Sequence, residues 1–407
     1  MTPPADAPPA EAGWVRTLWA VALVQAIMTG SFTIIGPTIP QVLPQLGVET
    51  VGGVRAWTGV LMGVTPLMAA LTSPLWSNVA DRLGRKRIIA TTAVGNALLA
   101  LLMSVCTSAP QLLVLRLAMG SLSGFSAAGI SLVAGRAPSR RLGYALGWLS
   151  TGQLLGMLIG PVAGGIIADA FHSARAPFLL TATMSPMAAV LVMLVVPKER
   201  PAHKDKVART VWQDLALVAR SPLLAPLFLA MLLAQLAIRS VDPVIVLTAQ
   251  QLLAGNLHMA SLAGFAVSVT GLGNLAASPF LGRRSDVIGH RKVLLISLIG
   301  AAALTMPQAV VGQFPLFVIE RFGVGMFIGG VLPTLNALIG RTAADADRTS
   351  VYGVMSSATF LGGFAGPLAG GMVSAAFGLG SVFVVSSLLM VAGLVWIVRK
   401  IPADRKA

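Results

Sequence analysis

The sequence predicts an all-α integral membrane protein with twelve transmembrane helices in two pseudo-symmetric six-helix bundles. Three observations carry that prediction. Of 407 residues, 56% are hydrophobic and 11% charged, against roughly 25% charged in soluble domains, and the mean hydropathy is +0.83. The apolar residues gather into twelve runs, each close to the ~20 residues that a helix needs to cross a bilayer. The second half of the chain repeats the first. Such a composition excludes a soluble enzyme, a disordered chain and a nucleic-acid binder.

The runs fall at 15–37, 56–80, 88–107, 110–134, 142–169 and 176–196, then at 222–250, 259–282, 292–312, 315–339, 351–376 and 379–398. Residues 1–13, rich in Pro and Ala with no cation before the apolar run, read as a disordered tail and not a cleaved signal. The longest polar stretch divides the chain into a first bundle at 14–197, a cytoplasmic linker at 198–220 and a second bundle at 221–399. A short tail follows at 400–407. The remaining loops are short, which favours antiparallel neighbours. Cys106 is the one cysteine, so neither an internal disulfide nor a multi-cysteine metal site is expected.

The formal charge of +15 has a topological explanation. Of the 29 Lys and Arg, 24 lie in the termini and the loops on the termini's side, two (Arg55 and Arg175) in the opposite loops, and three within spans. Cytoplasmic loops are the ones enriched in Lys and Arg, so both termini are expected in the cytoplasm.

The repeat has three independent parts. Gly147, Gly156, Gly160-Pro161 and Gly164-Gly165 recur 206 residues later as Gly353, Gly362, Gly366-Pro367 and Gly370-Gly371. Ser73-Pro74, Asp81 and Gly84 recur at an offset of 205 as Ser278-Pro279, Asp286 and Gly289; Arg116, Gly120 and Gly124 recur as Arg321, Gly325 and Gly329. A period of half the chain means a duplicated bundle, and an even number of helices per half makes the halves parallel.

Several of these residues suggest roles on their own. Asp81, followed by Arg82, Gly84 and Arg85, closes a helix on the cytoplasmic face, where a carboxylate can cap its own turn or bond a neighbouring helix N-terminus. Gly156, Gly160 and Gly164 form one stripe of the small-xxx-small kind that permits close backbone approach, and Pro161 permits a bend. Arg116 stands about six residues inside the fourth helix with Gly120 and Gly124 expected on its face. Charges inside the bilayer are functional candidates by default, although its shallow depth also allows snorkelling.

The seventh helix carries the most distinctive charges. Arg239 and Asp242 are three residues apart, hence on one face, and Pro243 disfavours helical geometry at Asp242 and suggests a bend. Asp242 lies roughly 16 Å from the outer end, at 1.5 Å per residue. Glu320, beside Arg321, is the other carboxylate placed to carry a proton, whereas Asp169 sits at a rim. All four histidines fall in expected loops. Cavity candidates are the polar and aromatic residues Gln25, Phe32, Phe125, Gln153, Gln235, Asn274, Asn336 and Phe360.

The loop SPLWSNVADRLGRKR matches the pattern G-x-x-x-D-R-x-G-R-K except for Ser77 in place of the first Gly. LRLAMGSLSG fits R-x-x-x-G, and GWLSTGQLLGMLIGPVAGG fits G-x8-G-x3-GP-x2-GG without a miss. On these motifs the chain resembles the major facilitator superfamily over essentially its whole length, and within it the twelve-helix drug:proton antiporters, the MdtG-type multidrug exporters among them. The resemblance implies alternating access, with Asp81 locking the cytoplasmic side and Asp286 and Gly289 as its repeat mates. It also implies an antiporter hinge between the halves, formed by Gly147, Gly156, Gly160, Pro161, Gly164 and Gly165 with Gly362, Gly366, Pro367 and Gly370. Arg116 is linked by resemblance to proton coupling, with Arg321 its mate. The first helix lacks the acidic residue that many drug antiporters place there.

The leading expectation is export of amphipathic small molecules by proton antiport through the inner membrane. The alternative is a proton-coupled or facilitative uptake carrier for a small organic anion, consistent with three intramembrane Arg against two carboxylates. Expected partners are substrate, protons and membrane lipid; no nucleic acid, metal or cofactor is expected, and the chain reads as a monomer and not an enzyme. If Asp81 locks the cytoplasmic side, Asp81→Asn abolishes transport while the protein still inserts and purifies as a monodisperse particle. Normal efflux from that variant refutes the role.

Overall fold

The computed structural model describes residues 9–197, 211–343 and 348–401. Every regular element among them is helical, as expected where no water is present to satisfy a strand edge or an open loop. Twelve segments are long and apolar enough to cross a membrane. In the first half they are Gly13–Leu46, Val51–Ser73, Arg85–Val105, Ala109–Ala134, Leu142–Ala170 and Ala176–Val195. In the second they are Leu224–Leu252, Met259–Ile288, His290–Val310, Phe314–Thr342, Ser350–Phe377 and Leu379–Lys400. We number these spans in chain order. Each of the twelve expected runs has its helix.

Packing divides the chain into two units, Met1–Val42 with Met68–Asp205, and Leu43–Leu67 with Lys206–Ala407. The division within the linker agrees with the sequence, but the segment Leu43–Leu67 groups with the second unit. Small residues explain why. A Cβ on Gly59 would stand 2.8 Å from the Cα of Gly371 in span 11, and one on Gly63 would stand 2.6 Å from the Phe364 carbonyl oxygen. Arg55 Nη1 adds a bond to the Ser374 carbonyl at 3.0 Å.

Two expected boundaries shift. Helix Pro9–Thr33 begins four residues before Gly13, so 9–13 extend span 1 and do not belong to a tail: Pro is tolerated in a first turn, and the Ala and Glu after it favour helix. Within the linker, Val211–Arg220 is a helix whose Val218 is buried in the second unit's core beside Leu224, Ile397 and Ile401. The N-terminal residues 1–8, the linker residues 198–210 and the tail 402–407 lie outside the described residues.

In the first unit a buried cluster including Leu18, Val21, Met28, Ile89, Leu132 and Leu149 joins its helices. Span 5 crosses span 1 through its glycine stripe. A Cβ on Gly156 would meet the backbone N of Gly30 at 2.7 Å, and one on Gly160 would stand 2.9 Å from the Gly30 carbonyl oxygen. Gly152 and Gly164 face the carbonyl oxygens of Ala22 and Ile34 in the same way. In the second unit Gly362 and Gly366 place span 11 against Gln235 and Arg239 of span 7, with Cβ positions 2.5 and 2.7 Å from those residues' Cβ atoms, and Gly370 faces the Ser240 carbonyl.

The stripe therefore closes on a helix of its own unit. The reason is that span 1 carries Gly30 where the stripe crosses, so two backbones can touch there. Pro161 and Pro367 sit inside unbroken helices, Gly165 is buried, and Gly147 and Gly353 face open space. Gly160→Leu should accordingly destabilise the protein by about 1–3 kcal/mol, the cost of forcing volume into a packed contact, whereas Gly147→Leu should not. Thermal unfolding of the two purified variants checks this, and equal melting temperatures refute the tight crossing.

Candidate functional site

Four spans are interrupted, at matching places in the two halves. Span 1 leaves its helix at Thr33 and continues as a 3-10 turn at Gly36–Thr38, while span 7 stops at Ser240 and restarts as Asp242–Leu252. Pro37 and Pro243, again 206 residues apart, follow the two breaks. Span 4 divides into Ala109–Ser121 and Gly124–Ala134, and span 10 into Phe314–Ile328 and Val331–Thr342. Breaks at corresponding positions of two repeats point to the ligand-handling region of a transporter, because irregular backbone in a membrane persists only where protein or a cavity satisfies it.

In the first unit the breaks organise an uncharged cluster. Gln25, fully buried, donates from Nε2 to the Ser126 carbonyl at 3.2 Å. Gln153 Nε2 donates to Ser126 Oγ at 2.7 Å and reaches Gln25 Oε1 at 3.4 Å. Phe32 stacks on Phe125 with ring centroids 5.7 Å apart. Spans 1, 4 and 5 thus bring together four of the expected cavity residues, with Ser126 as an addition that sequence reading missed. The break in span 4 frees the Ser121 carbonyl, which accepts from Trp76 Nε1 and from Thr72 Oγ1 of span 2.

In the second unit the corresponding region is charged. Arg239 Nη1 and Asp242 Oδ2 are 3.3 Å apart, the pairing that their spacing implies. Asp242 also opens helix Asp242–Leu252, with Pro243 in its first turn, where the positive end of the helix dipole favours an anion. Arg321, buried, donates from Nε to Thr270 Oγ1 at 3.0 Å and lies within electrostatic reach of Asp242. Glu320 Oε2 is buried without a hydrogen bond among the described residues. Gln235 is buried behind the Gly362 contact, and Asn274 sits at the break of span 10, its carbonyl oxygen 2.9 Å from where a Gly329 Cβ would be. Asn336 is exposed, with its carbonyl accepting from Tyr352, and Phe360 is half-buried. Neither joins the charged group.

Arg116 admits two readings from the sequence, a buried functional charge or a snorkelling cation. It is buried, Nη1 reaches only Met119 Sδ at 3.9 Å, and Nε has no partner among the described residues. It does not snorkel. Gly124 is not stacked two turns above it, because the helix is interrupted between them; a Cβ on Gly124 would instead strike the Trp76 ring. Asp169, expected at a solvated rim, is half-buried and has an interaction partner.

The cytoplasmic motifs resolve into turns and caps. Gly84 and Gly289 join spans 2–3 and 8–9 with φ of 91° and 99°, values that favour glycine. Arg85 Nη1 donates to the Ser131 carbonyl at 2.9 Å. Lys86 donates to the carbonyls of Met193, at 2.9 Å, and Val196 at the end of span 6. Its repeat mate Arg291 donates to the Val398 carbonyl at 2.8 Å at the end of span 12. Cations at helix C-termini satisfy orphan carbonyls and the negative end of the dipole. The Asp81 and Arg82 side chains lie outside the described residues.

His290 corrects the loop assignment of the histidines. It begins span 9, is buried, bonds Ser285 Oγ through Nδ1 at 3.0 Å, and has Nε2 3.9 Å from the exposed Asp286. It occupies the repeat position of Arg85. Cys106, just beyond span 3, is a buried free thiol; burial pushes it up from its ordinary pKa and the Arg175 cation draws it partly back.

Two parallel repeats, matched helix breaks and a membrane-buried polar region in each define a secondary transporter. Residues 21–248 and 227–407 both match the model of the Major Facilitator Superfamily. The chain belongs to that superfamily. It is 33% identical over 390 residues to the uncharacterized MFS-type transporter YuxJ of Bacillus subtilis (strain 168), covering 95% of this chain and 99% of that one. It is 32% identical over 386 residues to the multidrug resistance protein MdtG of Salmonella paratyphi A, covering 94% of each.

Among solved structures, a bacterial homolog of the human lysosomal transporter Spinster, inward-facing and unoccupied, aligns with TM-score 0.76 at 14% identity, over 97% of this chain and 96% of that one. The human organic anion transporter MFSD10 aligns with TM-score 0.67 at 18% identity, over 96% and 100%. The nucleoside transporter NupG aligns with TM-score 0.74 at 14% identity, over 94% and 98%. These likenesses establish the fold.

If Lys86 and Arg291 act as caps and not solely as topological anchors, Lys86→Gln and Arg291→Gln should each lower stability by about 1 kcal/mol. Thermal melts of the purified variants, with transport retained at low temperature, check this; unchanged melts leave the cations only an anchoring role.

Proposed function

We propose that the protein exports amphipathic small molecules by proton antiport through alternating access, as a monomer in the inner membrane with both termini in the cytoplasm. The Arg239–Asp242 pair at the interruption of span 7 carries this reading. Protonation of Asp242 cancels its attraction to Arg239 and Arg321 and its dipole contact, so the turn at Val241 is freed. Loss of the proton restores all three interactions and resets the turn. Substrate that favours one arrangement then competes with the proton without touching it. Glu320, on the same helix as Arg321, is the second carboxylate in reach of such a cycle.

The first unit's cluster supplies the substrate chemistry: a stacked Phe32–Phe125 face beside the amides of Gln25 and Gln153 suits a molecule that is apolar in part and hydrogen-bonding in part. Direction follows from the relatives named for multidrug resistance. Asp242→Asn should keep downhill exchange in proteoliposomes but lose uphill, proton-driven accumulation. Concentration of substrate against its gradient by that variant removes Asp242 from the coupling role and leaves Glu320.

A second reading, uptake of a small organic anion, is favoured by one observation, the buried Arg116 guanidinium without an acidic partner among the described residues. Accumulation of labelled compounds in cells with and without the gene separates the two. Deletion raises accumulation under export and lowers it under uptake.

A further inference from the structure

Spans 9 and 12 enclose a groove that neither the coupling cluster nor the amide cluster uses. Its volume is about 380 Å³, and Leu298, Ile299, Ala302 and Ala303 line it from span 9 with Leu388 and Val391 from span 12 among others. Small residues make the floor: Ser387 Oγ donates to the Ala302 carbonyl at 2.9 Å, which ties the two helices together and spends the one polar side chain in the lining. Ile299, Leu388 and Val391 stand exposed as walls. What remains is an open apolar slot on membrane-spanning helices.

The cytoplasmic end of the same helix pair is cationic. Span 9 begins His290-Arg291-Lys292 and span 12 ends Arg399-Lys400, and neither helix contains an acidic residue. Arg291 joins the two ends through the Val398 carbonyl. Lys292, Arg399 and Lys400 are exposed, and Lys400 Nζ lies 5.9 Å from the Trp396 ring centre. From Arg291 to Leu298 is roughly 10 Å, and to Ala302 roughly 16 Å, at 1.5 Å per residue. One leaflet of the hydrocarbon core is about 15 Å deep. A phosphate at the cations therefore places its acyl chain along the slot.

We propose that spans 9 and 12 form a binding site for one anionic glycerophospholipid, its headgroup on Lys292, Arg399 and Lys400 and an acyl chain in the groove. Charge selects the headgroup, since a zwitterionic lipid brings no net negative charge to the three cations. The duplicated half supplies an internal control: at an offset of 205, Ala303 corresponds to Leu98, which is exposed on span 3. A leucine at the Ala303 position puts side-chain volume where the chain would lie.

The test uses the full-length protein, delipidated in detergent and then titrated with phosphatidylglycerol or phosphatidylcholine, with bound lipid counted by native mass spectrometry. The wild type should retain one phosphatidylglycerol in preference to phosphatidylcholine. Lys292→Gln and Lys400→Gln should each weaken retention about fivefold. Ala303→Leu should abolish it while the particle stays monodisperse, and Leu388→Phe, on an exposed wall, fills the slot independently should the first variant purify poorly. Equal retention of the two lipids by the wild type overturns the proposal. So does undiminished phosphatidylglycerol binding when the groove is filled, which reduces the effect to a charged surface.

Discussion

A helix that stops inside a bilayer leaves carbonyl and amide groups with no water to receive them, and each such group costs several kcal/mol unless protein satisfies it. That constraint governs the rest of this structure. It makes all regular structure among the described residues helical, and it makes the four interruptions informative, because each has to be compensated. At span 4 the freed Ser121 carbonyl is taken by Trp76 and Thr72. At span 7 the new helix end receives Asp242, and the carboxylate so placed is balanced by Arg239. The ion pair and the restart of the helix thus fall on the same residues.

The two halves solve the shared geometry with different chemistry. Gln153 reaches Gln25 across spans 5 and 1 in the first unit; at the same repeat positions Thr359 Oγ1 reaches Met231 Sδ at 3.7 Å across spans 11 and 7. Gly36 stands where Asp242 stands, again at an offset of 206. Duplication thus preserved the helix crossings, which glycine dictates sterically, and released the side chains at the breaks. Amide and aromatic groups gather in one half, which also buries Arg116, and the Arg239–Asp242 pair with Arg321 and Glu320 in the other. The divergence of the repeats thus gives each half its own polar chemistry without a change of fold.

How far the sequence could be read follows from which physics each feature obeys. The spans were legible because hydrophobic length is a one-dimensional property, and Arg239–Asp242 because three residues fix a face of a helix. The glycine stripe was legible as a packing surface, but its partner was not: spacing says that backbones approach, and only the location of Gly30 says which ones. The burial of His290 was hidden by its place at a helix start next to a charged run. Ser126 and Thr270 were missed since a hydroxyl in a membrane helix normally bonds its own preceding turn, and nothing in the sequence marks the ones that reach across.

The breaks at spans 4 and 10 show where the signal existed and was weak. Gly329-Gly330 is a plain interruption of an apolar run, yet the first-half equivalent carries only one glycine, Gly124, after Leu122-Ser123. There Trp76, just past the end of span 2 on the same helix, completes what the sequence lacks, since its ring fills the position that a Gly124 side chain would need and its N–H takes the carbonyl left by the break. In the second half the repeat position of Trp76 is Leu281, which packs beside Gly330 but has no donor to offer. The same bend is therefore held by a hydrogen bond in one half and by glycine flexibility in the other. The span-4 bend is thus tied by a side chain from the neighbouring helix, and the span-10 bend is framed by its glycines and Leu281.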